Sequence, residues 1–466
     1  MNKYTSLAKN TAIFAIGTFG SKILSFIMVF FYSRALLTSE FGLLDIIINS
    51  GSLLLPIAML GITNSIVRFG LDDDYSQTDV FTTGLVAIAV GFGALLICCP
   101  LIALIKDLRP YLLILYAHVL MSALRHVCSF FVRSNNQVKL FAADSIFSTF
   151  TTCLLTFIFL IPLKMGIFGY LLAIVLADFC SVLFLCFRGN IFRYIGFKKR
   201  NKAVTRQMIR FALPMMPNSL LWWVVNVSDR YFVNYMLGSA ANGLYAVAYK
   251  VPTILTIVSN IFLDAWQISA VTENKDKSHS KFYSEIFKSF QGAIFVTGSF
   301  FIVTAKLITK ILLAESYYDS WQFIPTLIFA TVFSCFVVFL GNIYLAEKKN
   351  IASLITTLCG AALNLILNGP FILLWGAQGA AIATLLSYFL VFLLRAIHLN
   401  KLNREMNFSL IAVLVNTVIM TAQCFIMIFE IKFWLPLQIA CIALLVLINY
   451  KSLLELIKKV IDRKKR

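Results

Sequence analysis

Leu36-Leu37-Thr38-Ser39-Glu40-Phe41-Gly42-Leu43 is echoed further along the chain by Leu237-Gly238-Ser239-Ala240-Ala241-Asn242-Gly243-Leu244. Each stretch reads as the short turn between two long apolar segments. A second echo pairs Gly166-Ile167-Phe168-Gly169, followed by Ala173, with Gly376-Ala377-Gln378-Gly379, followed by Ala383. The identities are sparse, but their shared order and place in the hydropathy pattern mark a duplication. A duplicated polytopic membrane chain reads as a transporter with its substrate site between the halves.

Composition fixes the class. Of 466 residues, 60% are apolar and 13% charged, with a mean hydropathy of +0.86. A soluble globular chain has about 45–50% and about 25%. The chain is therefore an all-α integral membrane protein, and its 43 phenylalanines suit lipid-facing helix surfaces. The net charge of +19 suggests nucleic acid at first, but its placement beside apolar segments argues for membrane topology and against a nucleic-acid partner. The ten cysteines form no CxxC and no metal-ligand spacing with histidine, so they read as reduced packing residues with no metal site. The apolar stretch from Thr11 lacks a small-residue cleavage site and reads as a retained first helix.

A bilayer core needs about 20 apolar residues per helix. Fourteen such runs can be counted, from 9–33 and 41–65 through to 407–429 and 433–450. Residues 1–200 read as an N-terminal six-helix lobe and 201–405 as a second. Residues 406–466 read as two extra transmembrane helices with a basic tail. Six is even, so both copies enter the membrane the same way. Most of the 40 Lys and Arg residues fall on one side, including Lys3, Lys9, Arg68, Arg133, Lys139, the cluster from Arg188 to Arg210, Lys348, Arg395 and the tail. By the positive-inside rule both termini are cytoplasmic, and the Arg188–Arg210 block reads as the linker between lobes. No Walker A, HExxH or GxSxG pattern is present and no loop is long enough for a catalytic domain. The expectation is a transporter and not an enzyme.

A charge at a helix centre costs roughly 2.5–3.5 kcal/mol, so it should face a cavity or a partner. The candidates are Lys22, Arg125, Asp229, Arg230 and Lys250, joined by Asp144, Asp178 and Asp264. Were Lys22, Arg125, Arg230 and Lys250 to converge, they would form a cationic cavity suited to a pyrophosphate, since each N–H donated to a phosphate oxygen is charge-assisted. Asp229 and Arg230 are neighbours and point about 100° apart on a helix, so each needs its own partner. Asp229 is either a structural partner of Lys250 or a titratable group coupling H+ or Na+ to transport; no other cofactor is implied. His118 and His126 read as polar packing. Pro214, Pro217 and Pro252, with the turn glycines Gly42 and Gly243, are hinge candidates, static kinks being the alternative; Pro325 belongs with them. Trp222, Trp223 and Tyr245 suit either sugar stacking or an interfacial belt. In the duplication Lys250 stands where the first copy has Asn49, and Asp229 where it has Met28. Those departures from symmetry are where chemistry is expected.

Lys9-Asn10-Thr11, Lys22-Ile23-Leu24, Ser33-Arg34-Ala35-Leu36, Glu40-Phe41-Gly42, Gly61-Ile62 and Arg68-Phe69 together resemble the bacterial polysaccharide flippases. These are the Wzx-like transporters of lipid-linked oligosaccharide in the multidrug/oligosaccharidyl-lipid/polysaccharide (MOP) exporter superfamily. Ser228-Asp229-Arg230, Gly238, Asn242-Gly243-Leu244-Tyr245 and Ala248-Tyr249-Lys250 repeat the resemblance in the second half. It implies two six-helix bundles facing each other in a V, as in MATE exporters. It also implies alternating access that carries an undecaprenyl-pyrophosphate-linked oligosaccharide outward for O-antigen or capsule synthesis. The implied setting is the bacterial cytoplasmic membrane, with membrane lipids, a polysaccharide polymerase and chain-length machinery as partners. A MATE-type ion-coupled drug or metabolite exporter, a lipid II flippase and a membrane polysaccharide-modifying enzyme are the alternatives.

Overall fold

The computed structural model describes residues 20–464 except 22, 23, 25, 73, 198–200, 274–278, 348, 403–405, 407 and 409. Among the described residues every regular element is a helix. The chain divides into two compact units, Met1–Val224 and Val225–Arg466.

The first unit holds α1 (Phe26–Ala35), α2 (Thr38–Ala58), α3 (Ile62–Gly70), α4 (Gln77–Ile97), α5 (Cys99–Ile102), α6 (Leu112–Ser134), α7 (Val138–Leu160), α8 (Gly166–Arg188) and α9 (Lys202–Ala212). The division falls within α10 (Met216–Leu237). The second unit continues with α11 (Ser239–Ala248), α12 (Lys250–Glu273), α13 (His279–Leu312), α14 (Ile324–Ala346), α15 (Asn350–Trp375), α16 (Ala377–Leu402), α17 (Leu410–Ile428) and α18 (Trp434–Lys464). Eleven described spans are long and apolar enough to cross a membrane. This is a multi-pass membrane protein.

The two glycine echoes behave differently. Gly166 and Gly376 both take positive φ, +56° and +60°, where an L side chain is strained. Gly169 and Gly379 follow inside the next helix, where a Cβ would stand 2.6 Å from Met165 and 2.0 Å from the Phe371 carbonyl oxygen. The same pair of glycines thus builds the α7–α8 and α15–α16 hairpins by one device. Gly42 and Gly243 are corrected: they are not turn residues but lie buried within α2 and α11. The Glu40 carboxylate accepts the Leu37 N–H at 2.9 Å, which starts α2 ahead of Gly42. In the second copy Gly238, at φ +90°, makes the turn.

The prolines are corrected likewise. Pro217, Pro252 and Pro325 occupy the first turns of α10, α12 and α14, and Pro214 lies in the 3-10 turn Leu213–Met215. A first turn has no intrahelical partner for that N–H, so no hydrogen bond is interrupted there. The prolines within helices are Pro56 in α2 and Pro370 in α15. Two apolar runs expected to be continuous are broken instead. The run 41–65 breaks between α2 and α3, where Leu60 and Gly61 both have positive φ, and 241–266 breaks at Tyr249 between α11 and α12.

Much of the basic segment from Arg188 to Arg210 folds onto the first unit. Asn201 caps α9 by accepting the Ala203 N–H at 2.9 Å, while its own N–H donates to Asp79 at 2.8 Å. Val204, Met208 and Ala212 are buried, and the Ser65 hydroxyl donates to the Met208 carbonyl. They join a core with Ile62, Ile66, Phe81, Val127 and Phe131.

The second unit is built around α14, most of whose residues are buried. Here the lipid-facing expectation for phenylalanine is corrected in part. Phe287, Phe290, Phe333, Phe336 and Phe392 fill the core, with several ring pairs edge-on at 5–6 Å, although others such as Phe150 and Phe168 are exposed. Helices α17 and α18 are tied to α13 by buried amides. Asn416 donates to Gln291 at 3.1 Å, Asn449 donates to Asn416 at 3.0 Å, and Gln423 donates to the Ser299 carbonyl at 3.2 Å. Lys306 also pairs with Glu430 and lies 4.1 Å above the Trp321 ring and 4.7 Å above that of Trp434. An apolar face alone would let these helices slide; paired amides fix their register.

Candidate functional site

Each unit buries one polar centre inside its apolar helices. In the first unit the centre lies where α6, α7 and α8 meet. Arg125 of α6 donates through Nη1 to Asp178 of α8 at 3.2 Å and through Nε to the Ser181 hydroxyl at 3.1 Å. Its Nη2 lies 3.7 Å from Asp144 of α7, which is fully buried. Ser181 in turn donates to Asp144, and Ser122 donates to Asp178. Ser122 and Arg125 are three apart on α6, as are Asp178 and Ser181 on α8, so each pair shares a helix face. His118 contacts the Ser122 hydroxyl at 3.3 Å, and His126 contacts the Ser122 carbonyl at 2.7 Å; both histidines are part of this packing.

In the second unit the centre is Asp229 of α10, 1% exposed. One carboxylate oxygen accepts three hydroxyls: Tyr245 at 2.8 Å, Tyr249 at 2.6 Å and Thr384 at 3.2 Å. The other accepts the Arg230 N–H at 2.9 Å. Tyr245 of α11 and Tyr249, the residue that closes it, are four apart and so project from one side. A second layer of amides follows. Asn364 of α15 donates to Thr384 at 3.2 Å and accepts the Ser228 hydroxyl and an Asn368 N–H, while Tyr388 donates to Asn226 at 2.6 Å. No ion pair reaches Asp229 among the described residues. The expected structural pair with Lys250 is therefore not formed; hydroxyls take its place. Arg230 places its guanidinium 4.5 Å over the Tyr249 ring, and Lys250 opens α12 half-buried.

Of the four cations singled out from sequence, Arg230 follows Asp229 directly in the chain, Lys250 opens α12, Arg125 is engaged by two carboxylates, and Lys22 lies outside the described residues. The side chain of Asp264 lies outside them as well. Trp223 donates its indole N–H to the Asn49 carbonyl at 3.0 Å and the Ser52 hydroxyl at 3.1 Å, tying the start of α10 to α2. Arg395, counted above among the inner-side cations, sits within α16 at 1% exposure. Its guanidinium donates to the Val337 carbonyl at 2.6 Å and to Thr356, Thr357 and Ser353 at about 3 Å, with no carboxylate partner among the described residues. Bare Gly341 makes room for it, since a Cβ there would lie 2.8 Å from its Nη1. The roles of Ser122, Ser181, Thr384 and Asn364 had no sequence signal, because single hydroxyls and amides are common in apolar helices.

Two units of long apolar helices, with broken second helices and a buried polar centre in each, make a multi-pass membrane fold. The chain belongs to the polysaccharide biosynthesis protein family, which matches residues 7–268. Its fold is that of the MOP superfamily. The lipid II flippase MurJ in an inward closed conformation is similar with a TM-score of 0.72 at 16% identity, over 94% of this chain and 98% of that one. An inward-facing multidrug resistance MATE family transporter of the MOP superfamily gives 0.66 at 14% identity, over 82% and 96%. A MOP superfamily transporter from Pyrococcus furiosus gives 0.61 at 13%, over 85% and 95%. No curated protein sequence matches the chain.

Proposed function

We propose that this protein is a flippase that carries undecaprenyl-pyrophosphate-linked oligosaccharide repeat units from the inner to the outer leaflet by alternating access, for O-antigen or capsule synthesis. The observation that carries this reading is the polysaccharide biosynthesis family match across residues 7–268. The setting is the bacterial cytoplasmic membrane with both termini inside, as the distribution of Lys and Arg suggests. A polysaccharide polymerase and chain-length machinery are the downstream partners, and the chain itself performs no catalysis.

Within the second unit, Arg230 and Lys250 are the proposed contacts to the pyrophosphate, and Asp229 is the proposed site where H+ or Na+ couples to movement. A carboxylate neutralised by a proton or a sodium ion changes the charge of a buried cage, which gives the two ends of a transport cycle different electrostatic energies. Its hydroxyl ligands favour this over a fixed ion pair, which would hold one charge state.

Removing the protein should trap lipid-linked repeat units on the inner leaflet, read by lectin-accessible labelling of sealed vesicles. If the units still reach the outer face and drug sensitivity rises instead, the exporter reading replaces this one. If peptidoglycan precursor is trapped, the lipid II reading does. Reporter fusions at both termini test the orientation.

A further inference from the structure

The far end of the α7–α8 hairpin from its Gly166 turn carries a groove of about 890 Å³. Its rim is polar: Gln137 and Lys139 at the start of α7, Arg188 and Asn190 at the end of α8. Its floor is apolar, formed by Leu140, Ala143, Phe184 and Phe187. Lys139 and Arg188 are both exposed, and neither makes an ion pair or hydrogen bond among the described residues. Among the described residues no carboxylate lines the groove.

The surface beside it has the composition of a membrane interface. Phe187 is 68% exposed and packs edge-on against Phe192, itself 54% exposed, at 5.7 Å between ring centres. Phe192 belongs to the 3-10 turn Ile191–Tyr194, which also presents Arg193, and exposed Ile195 and Phe197 follow. Exposed aromatic and basic side chains at the end of an apolar hairpin sit where acyl chains give way to headgroups. A basic pocket between helices at that level matches the phosphate of an anionic lipid, with apolar side chains below it for the acyl chain.

We infer that this groove binds an anionic glycerophospholipid, its phosphate held between Lys139 and Arg188 and an acyl chain lying along Phe184 and Phe187. Charge complementarity and the adjoining apolar floor decide for a lipid over a soluble anion, which has no use for the floor. The groove shares no lining residue with the Arg125 centre, and the inference is independent of what the protein transports.

The test is native mass spectrometry of the full-length protein released from detergent, titrated with phosphatidylglycerol or with phosphatidylcholine. The wild type should prefer phosphatidylglycerol by about thirtyfold, on the order expected for two cations near a headgroup. Lys139→Gln with Arg188→Gln should lower that preference to about twofold or less, while Lys139→Arg with Arg188→Lys should keep it. Lys106→Gln with Arg109→Gln, outside the groove, should leave it unchanged, which separates a local site from net charge. Phe184→Ala with Phe187→Ala should weaken both lipids. Retention of the preference in the double glutamine variant overturns the inference. Displacement of the lipid by millimolar inorganic phosphate also overturns it, because that marks a soluble-anion site. Monodispersity on size exclusion certifies the folding of each variant.

Discussion

In the first unit one guanidinium and two carboxylates, drawn from three helices, meet at 3.2 and 3.7 Å. In the second, Asp229 and Arg395 are each buried to 1% exposure, and among the described residues the hydrogen bonds of each go to hydroxyls, amides and carbonyls, with no ion pair. The difference teaches how each unit tolerates charge in an apolar bundle. Direct pairing sets each charge against an opposite one, and removal of one member strands the others. Solvation by neutral dipoles leaves a charge able to change without stranding a partner. The first centre therefore reads as a clamp joining α6, α7 and α8, and Asp229 as the group free to exchange.

Substitutions divide along that line. The largest effect should follow Arg125→Met, which leaves Asp144 and Asp178 buried beside each other without compensation. A loss of about 3–5 kcal/mol is expected, read as a fall in thermal stability and in membrane yield. Adding Asp144→Asn and Asp178→Asn to that variant should restore most of the loss; failure to do so would break the clamp reading. Gly341→Ala should cost about 1–3 kcal/mol, because the new methyl meets the Arg395 guanidinium. The same change in an Arg395→Met background should cost much less, which a double-mutant cycle measures.

Asp229→Asn should leave the melting temperature close to wild type yet slow transport by on the order of tenfold, about 1.4 kcal/mol in barrier height. Transport in reconstituted vesicles, with and without an imposed H+ or Na+ gradient, reads this. A variant that keeps wild-type, gradient-dependent rates would remove Asp229 from the coupling role. The smallest effect should come from Arg395→Met, within about 1 kcal/mol of wild type, since it removes an uncompensated buried charge without leaving an opposite one behind. A loss as large as that of Arg125→Met would erase the distinction between the units.

Part of this architecture was legible in the sequence. Hydropathy runs located most of the helices, because a lipid-exposed backbone must satisfy its own hydrogen bonds within a continuous apolar segment. The Gly166 and Gly376 echo marked two equivalent hairpins, because only glycine takes that backbone conformation without strain. The intramembrane acids Asp144, Asp178 and Asp229 stood out because their cost demands a partner. Which partner was not legible. Lys250 is the nearest cation to Asp229 on the following helix, yet Tyr245, Tyr249 and Thr384 surround it. Arg395 looked like an inner-side marker because it lies near the end of an apolar run, and only packing against Val337, Ser353 and Thr356 shows it inside. Gly42 looked like a turn because glycine punctuates loops, whereas the Glu40 cap starts the helix before it.

By itself, then, the sequence determined a duplicated, all-helical membrane protein and which of its buried positions carry charge, because composition and periodicity are properties of single segments. Tertiary structure decided what those charges do. Whether a carboxylate meets a guanidinium or a ring of hydroxyls depends on which faces of three or four helices converge. Helix faces meet through rotation and register that no one segment encodes. Arg125 met two carboxylates and Asp229 a ring of hydroxyls only when α6, α7 and α8, and α10, α11, α15 and α16, closed around them.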